Sequence, residues 1–307
     1  MKAIFQAIIV LIASAGLVAC GGSSSSGETG LLSLGVSDDP IHDVGKVCIA
    51  FDVVELKPAG DGPVKTYPLS GSNVNLLDFQ GMNAFPLLFE QPVDAGEYVW
   101  MRLVVDADEG SNGGLGDDSE SSGCIGDASY IASKDGKTTH NLFIPSGDQS
   151  GLKFSGFTVP ANGSVSFTAE WDLMRSIVEP PDLHPDVILK PHVKLVDNTK
   201  VGAVRGSVSA ALADLDPCEP AVYLFADNNV GEPDLWVGDS EASAIPSPVD
   251  DTDANLGLEY EIGFLLEGSY EAAFSCDGGV TFTEPAEGNP FDINVGKVAE
   301  ITFQQVD

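Results

Sequence analysis

"KVCIAFDVVELK", residues 46–57, is the stretch that decides the fold class. Apolar and polar residues alternate along it, so Val47, Ile49, Phe51 and Val53 fall on one face of an extended chain. This period of two residues is typical of a β-strand with one face in the core and the other in solvent. We therefore expect a strand here.

Segments of the same kind lie elsewhere along the chain. In "SYIASKDGKTTHNLFI" (129–144), the pair Asp135-Gly136 separates two apolar runs, which predicts a β-hairpin. Residues 186–197 have the pattern of a strand that is bent at Pro191 or lies at a sheet edge. Two more segments alternate in the same way, namely 97–107 and 163–171.

Helical signals are almost absent. Only "WDLMRSIVE" (171–179) has a helical pattern, and Pro180-Pro181 would end it. The 34 glycines and 19 prolines among 307 residues suit a chain rich in turns. The predicted fold class is all-β, with two tandem antiparallel β-sandwiches of the Ig or prealbumin-like type and at most one short helix near 171–179.

The N-terminus has the features of an export signal, an apolar run that ends in "LVAC" (17–20). These four residues resemble the bacterial lipoprotein signal, in which the cysteine is acylated and becomes the first residue. The resemblance implies a signal peptide over residues 1–19, lipidation of Cys20 and a flexible Gly/Ser tether over 20–30. Because Gly21 follows in place of aspartate, it also implies the outer membrane, on its periplasmic face or at the cell surface.

The charge excludes one class of partner. The formal net charge is −33, from 47 acidic and 14 basic residues. Nucleic acid is not an expected partner, because phosphate binding needs a basic surface. Two interpretations of the acidity remain open: solubility and counter-ion tolerance in a salty exterior, or binding of divalent cations.

Four of the five cysteines remain for disulfides if Cys20 is lipidated. Four cysteines allow three connectivities, and an exported chain meets an oxidising compartment. Because two cysteines lie in each half of the chain, we favour the pairs Cys48–Cys124 and Cys218–Cys276.

Two acidic segments are candidates for a calcium site, since Ca²⁺ takes six to eight oxygen ligands. The alternative is that both are solvated acidic loops. The "DTDAN" sequence of the second begins like an EF-hand loop, but the glycine and glutamate that an EF-hand needs are missing. The candidate ligands are Asp106, Asp108, Asp117 and Asp118 in the first segment, and Asp250, Asp251 and Asp253 in the second.

The sequence has no catalytic motif of the G-x-S-x-G, G-x-G-x-x-G, P-loop or H-E-x-x-H kind. Paired carboxylates could serve glycoside hydrolysis, but 47 acidic residues produce such pairs by chance. Trp100 and Trp171 lie in strand patterns, and we expect them in the core. Trp236 lies in a polar segment and is the candidate for binding a ligand such as a polysaccharide, unless it packs within its own loop.

A short sequence pattern that occurs twice, which we call the Gly-x-Tyr echo, indicates two related halves. "VDAGEYVWMRL" (93–103) and "LLEGSYEAAFSC" (265–276) both pass through Gly-x-Tyr into a strand, although generic hairpins could match by coincidence. The predicted domains are a β-sandwich over 31–198 and an acidic, prealbumin-like β-sandwich over 199–307.

Several segments resemble, in content and order, a family of uncharacterised bacterial lipoproteins defined by a domain of unknown function. The resemblance covers roughly residues 30–200 and implies an exported, β-rich, lipid-anchored protein; it supplies no catalytic residues. The acidic loop 106–127 is longer than is typical of that family. The matching segments are "GLLSLGVSDDPIHDVGKVCIAFDVVELKP", "AGEYVWMRLVVDA", "IPSGDQSGLKFSGFTVPANGSVSFTAEWDLMRSI" and "LKPHVKLVDNTKVGAVRG".

The second half is similar, more loosely, to the prealbumin-like sandwich of carboxypeptidase regulatory domains, through "VRGSV", "AVYLF" and "LLEGSYEAAF". Such domains are accessories without catalytic activity. The function we expect is a non-enzymatic, outer-membrane-anchored lipoprotein that binds a polysaccharide or envelope protein, or that organises the envelope. The alternatives are a hydrolase that acts on polysaccharide or peptide through acidic residues, and a structural or adhesion component of the matrix.

Overall fold

The computed structural model of the chain describes residues 27–39, 44–107, 123–145, 152–178, 186–213, 217–226, 247–248, 250–253 and 257–304. Within these ranges, no helix has both the length and the apolar composition that crossing a bilayer requires.

The first half forms a sandwich of two sheets. One sheet has the strand order β12-β9-β1-β4, and the other has the order β10-β11-β7-β6-β2-β5-β8, with β3 also paired to β2. The strands are β1 (Thr29–Asp39), β2 (Val44–Pro58), β3 (Lys65–Asn75), β4 (Phe85–Asp94), β5 (Gly96–Asp106), β6 (Tyr130–Ser133), β7 (Thr139–Phe143), β8 (Leu152–Val159), β9 (Ser164–Asp172), β10 (Ile177–Val178), β11 (Asp186–Leu189) and β12 (Val193–Asp197).

The second half forms two sheets of four strands, in the orders β16-β17-β13-β20 and β15-β14-β18-β19. Its strands are β13 (Val201–Val208), β14 (Ala221–Ala226), β15 (Ser247–Pro248), β16 (Asp250–Asp253), β17 (Gly257–Leu266), β18 (Gly268–Ser275), β19 (Phe291–Ile293) and β20 (Val298–Glu300). The all-β sandwich class is therefore confirmed.

The sheets are mixed, which corrects the expectation of purely antiparallel sandwiches. β1 pairs in parallel with β9, β7 with β11, and β13 with β20. In two of these pairs, a late strand of its half returns beside the first strand and runs in the same direction. Such a return needs a long crossover connection, which the local alternation of a sequence does not reveal.

A β-bulge corrects the predicted core face of β2. Val47, Ile49 and Phe51 are buried as expected, but the ladder shifts register between Phe51 and Val53. An extra residue in a strand turns every later side chain to the opposite face. Val54 is therefore fully buried and Val53 is only half-buried.

The structure contains the predicted Asp135-Gly136 hairpin but not a single strand over residues 186–197. The hairpin at Asp135-Gly136 forms as expected between β6 and β7, and Gly136 has a φ of 68°. The segment 186–197 is not one bent strand. It divides into β11 and β12, which belong to different sheets, so Pro191 lies where the chain crosses the sandwich.

The described residues include two one-turn helices, whereas the sequence predicts at most one short helix. α1 (Leu173–Ser176) lies within the predicted segment, and the Asp172 carboxylate caps it by accepting a hydrogen bond from Arg175 N at 3.0 Å. α2 (Ala210–Ala213) follows β13, and the sequence analysis missed it.

Each half has its own main apolar core. The first extends from Leu32 to Leu189, and the second from Val204 to Phe303. The predicted division at residues 198/199 falls in a 3₁₀ turn (Asn198–Lys200) between β12 and β13. A small separate cluster of Val196, Val201 and Phe264, joined by Ala84, lies where the two halves meet.

Six strands recur in the same arrangement in the two halves. β1, β2, β4, β5, β8 and β9 have the neighbours and directions of β13, β14, β17, β18, β19 and β20. The Gly-x-Tyr echo marks equivalent turns, β4 to β5 and β17 to β18. In each turn, the tyrosine hydroxyl donates to the carbonyl four residues earlier, Tyr98 to Asp94 at 2.8 Å and Tyr270 to Leu266 at 3.0 Å.

Candidate functional site

The four cysteines form the two disulfides that the sequence analysis favoured. Cys48 is bonded to Cys124, and Cys218 to Cys276. In a disulfide neither sulfur is available as a nucleophile or a metal ligand. The lipidation candidate, Cys20, lies outside the described residues.

The calcium prediction gains no support from the described part of the chain. There, no group of three or more His, Cys, Asp or Glu side chains could hold a metal ion. Asp106 ends β5, and its carbonyl oxygen accepts hydrogen bonds from Ser129 N at 2.9 Å and Ser129 Oγ at 2.6 Å. Asp250, Asp251 and Asp253 belong to β16, whereas Asp108, Asp117 and Asp118 lie outside the described residues.

The tryptophans are placed differently from the prediction. Trp171 is fully buried, but Trp100 is only half-buried. Two cations approach the ring of Trp100, with Lys153 Nζ at 4.8 Å and Arg102 Cζ at 5.9 Å from its centroid. Trp100 is therefore not a core residue, and it holds Lys153 in place by a cation–π contact. Trp236, the earlier candidate, lies outside the described residues.

The shifted carboxyls act as turn stabilisers. Hydrogen bonds from Thr281 N, Thr281 Oγ1 and Ser275 Oγ hold the pKa of Asp277 at about 2. Hydrogen bonds from Ser133 and Lys137 lower the pKa of Asp135 in the same way. A carboxyl with a lowered pKa is ionised at neutral pH, so it has no proton to give as a general acid.

A cleft of about 710 Å³ separates the two halves and contains four carboxylates. Three of these carboxylates accept hydrogen bonds from other residues. Glu261 Oε1 accepts from Met82 N at 2.9 Å, Glu300 Oε1 accepts from Arg205 Nη2 at 2.9 Å, and Asp78 Oδ1 accepts from Asn75 Nδ2 at 3.0 Å. The fourth carboxylate is that of Glu259. Of these contacts, the one between Met82 and Glu261 joins the two halves, whereas the other two each lie within one half.

Residues 76–84, which we name the strap, connect β3 to β4 in the first half and reach out to contact the second half. Two points of the strap lie against β1, where Ser37 Oγ is 2.9 Å from Phe79 O and 2.8 Å from Asn83 O. Between these two points the strap meets β17, where Phe264 N lies 3.5 Å from Met82 Sδ. The strap therefore contacts both sandwiches.

The backbone of the strap approaches the backbone of β17 closely at Gly81 and Gly263. A Cβ added at Gly263 would lie 2.1 Å from Gly81 O. The neighbouring Phe264 has a φ of 51°, a strained conformation for a residue with a side chain. Glycine at 263 is thus required by the close approach of the strap.

A second hollow is a groove along one edge of the first sandwich, which we name the seam groove. On one side lie residues 153–158 of β8, and on the other lie Val193, Leu195 and Asp197 of β12 with Lys200; Val165 and Phe167 of β9 complete it. Its volume is about 610 Å³. Another hollow, of about 450 Å³, continues it past Lys190 and His192 and shares Lys153, Phe154 and Val193 with it, and the name seam groove covers both hollows.

The seam groove combines an apolar floor with a cationic rim. Phe157 stacks on Tyr98 at a centroid distance of 5.2 Å and meets Phe167 edge-on at 5.1 Å. Among the described residues, Lys153 and Lys190 have no ion pair, whereas Lys200 pairs with Asp197 at 3.1 Å. Such a surface suits a partner that is apolar along one side and negatively charged along the other.

The rim lysines were not among the predicted site residues, although the sequence contains a signal for them. Residues 153–205 contain six acidic and six basic residues, a local balance of zero in a chain of net charge −33. A charge count over a moving window would have marked this stretch. That β8 and β12 face each other across a groove follows from sheet topology, which no window contains.

Comparison with known proteins identifies a family. A family model described as "Domain of unknown function (DUF4382)" matches residues 29–191. No curated protein matches the chain.

Solved structures give low similarity. A leucine-rich repeat protein from Bacteroides thetaiotaomicron VPI-5482 is 12% identical with a TM-score of 0.22, over 91% of this chain and 26% of that one. The Bacillus anthracis TIE protein is 8% identical with a TM-score of 0.20, over 91% and 35%. A fimbrial protein from Bacteroides ovatus ATCC 8483 is 9% identical with a TM-score of 0.22, over 90% and 49%. The chain thus spans about a quarter and a third of the first two proteins. By the match over residues 29–191, just over half its length, the chain belongs to the DUF4382 family, which is defined by a domain of unknown function.

Proposed function

We propose that the protein is a non-enzymatic binding module of the cell envelope, anchored in the outer membrane by a lipid on Cys20. The seam groove of the first sandwich is its binding surface, and the strap keeps that surface in a fixed orientation to the second sandwich. Single lipid chains give marginal anchoring, so the several chains of a lipoprotein cysteine suit a protein that stays at the membrane.

The observation that carries this proposal is the seam groove itself. Its floor combines half-buried apolar side chains with an aromatic pair, and its rim includes Lys153 and Lys190, which have no ion pair among the described residues. Apolar floors with a few polar groups are typical of binding sites. The hydrolase alternative has less support, because the carboxylates of the interdomain cleft bind Met82, Arg205 and Asn75. A purely structural role does not require a partner in the groove.

Site-specific photo-crosslinking in the cell distinguishes these roles. A photoreactive amino acid replaces Thr158, which lines the groove, or Thr281, an exposed residue of the second half. We expect a discrete crosslinked product from position 158 and none from position 281. No product from 158, or the same products from both positions, would contradict a binding role for the groove.

The anchor is tested separately by cell fractionation. We expect the unaltered protein in the outer-membrane fraction and the variant Cys20→Ser in the soluble periplasmic fraction. If Cys20→Ser stays with the membrane to the same extent, the lipid anchor is wrong, and the binding role stands or falls on the crosslinking alone.

A further inference from the structure

We propose that the seam groove binds an extended, acidic polypeptide segment, which lies along the free edge of β8 as an additional strand. This inference rests on the proposed function, because it assumes that the protein acts by binding a partner. It adds the chemistry of that partner: acidic side chains that alternate with apolar ones.

The groove lies between two strands that end their sheets. β8 is the last strand of its sheet, and β12 is the last strand of the opposite sheet. Within the described part of the chain, neither has a neighbour on its outer side. The backbone N–H and C=O groups of a free edge can pair with another extended chain, which is the common mode of peptide recognition by sheets.

The second argument comes from the groove floor beside that edge. Phe157, Val193 and Leu195 are half-buried and line the groove between the two strands. In an added strand, every second side chain would point into the groove, because strand side chains alternate between faces. A partner with apolar residues at every second position would bury them there.

The third argument is charge. Lys153, held by Trp100, and Lys190 lie at the groove and have no ion pair among the described residues. An acidic segment would complement them, whereas the rest of this chain would repel it. The free edge and apolar floor favour a polypeptide over an acidic polysaccharide, because a polysaccharide has no amide ladder to pair with β8.

The test uses the full chain purified in detergent and a fluorescent decapeptide of alternating aspartate and valine, with binding followed by anisotropy. Comparison probes are the lysine–valine decapeptide, the aspartate–valine peptide N-methylated along one edge, and unlabelled polygalacturonate as a competitor. The groove variant is K153E/K190E. Its matched control is K137E/K297E, which reverses two exposed lysines elsewhere.

We expect the aspartate–valine peptide to bind, and its affinity to fall about tenfold or more in K153E/K190E but less than about twofold in K137E/K297E. The lysine–valine and N-methylated peptides should bind much more weakly. Equal losses in both variants, undiminished binding of the N-methylated peptide, or no binding by any peptide would overturn the proposal. Displacement by polygalacturonate at equal charge concentration would assign the groove to a polysaccharide. If the peptides fail while position 158 still crosslinks, the binding role survives with a different partner.

Discussion

At the residue scale, the hydroxyl of Tyr98 closes the turn between β4 and β5. It donates to the Asp94 carbonyl, and burial raises its pKa to about 12, so it stays a donor at neutral pH. We expect Tyr98→Phe to lower the free energy of unfolding by about 1 kcal/mol, the usual contribution of one hydrogen bond. Tyr270→Phe should cost less, because the equivalent bond is exposed and water can replace it. Urea denaturation measures both.

A matched control is Tyr67→Phe. Tyr67 is half-buried, and its hydroxyl has no hydrogen bond with the described residues. It should therefore change stability by less than about 0.5 kcal/mol. If all three substitutions lower the free energy of unfolding by the same amount, the loss comes from removing a hydroxyl group and not from breaking the turn hydrogen bond.

At the element scale, the bulge in β2 decides which valine supports the core. Val54 is fully buried and Val53 is half-buried, although strict alternation from Val47 predicts the reverse. Replacing valine by threonine keeps the β-branch and exchanges one methyl group for a hydroxyl, which costs about 1–3 kcal/mol when it is buried without a partner. We expect that loss for Val54→Thr, and less than about 0.5 kcal/mol for Val53→Thr, by thermal or urea unfolding. A larger loss for Val53→Thr would contradict the bulge.

The same strand shows what the sequence could predict. Alternation is a local property, so Val47, Ile49 and Phe51 could be assigned to the core, and the Asp135-Gly136 turn could be assigned to a hairpin. The bulge after Phe51 and the change of sheet at Pro191 depend on where partner strands lie. The seam groove depends on them too, since it forms between the last strands of two sheets. For this reason its lysines could be found as a charge balance but not as a site.

At the scale of the whole molecule, the strap determines whether the two sandwiches act as one body. The two main cores are separate, and between them lie the small cluster around Phe264 and the strap contacts with β17. The repeat of six strands explains how each half can fold around its own core. It does not explain how the halves stay aligned, so their alignment rests on these contacts.

We therefore expect Gly263→Ala to loosen the alignment while both sandwiches stay folded. Its Cβ would lie 2.1 Å from Gly81 O, so the strap must move away. Gly62→Ala is the matched control, since the nearest atom to its Cβ is at 3.6 Å, an ordinary contact. Spin labels on cysteines introduced at Asp61 and Glu287, exposed residues of the two halves, report the distance between them. The distribution should be narrow in the unaltered protein and in Gly62→Ala, and broad in Gly263→Ala.

Near-ultraviolet circular dichroism separates loosening from unfolding. Each half has buried aromatic side chains, Trp171 in the first core and Phe303 in the second, so a folded variant keeps its spectrum. Crowding of this kind typically lowers stability by about 1–3 kcal/mol, and here it weakens the contact between the halves. A narrow distribution in Gly263→Ala with an unchanged spectrum would show that the strap is not needed for alignment. The cluster of Val196, Val201 and Phe264 would then carry it alone.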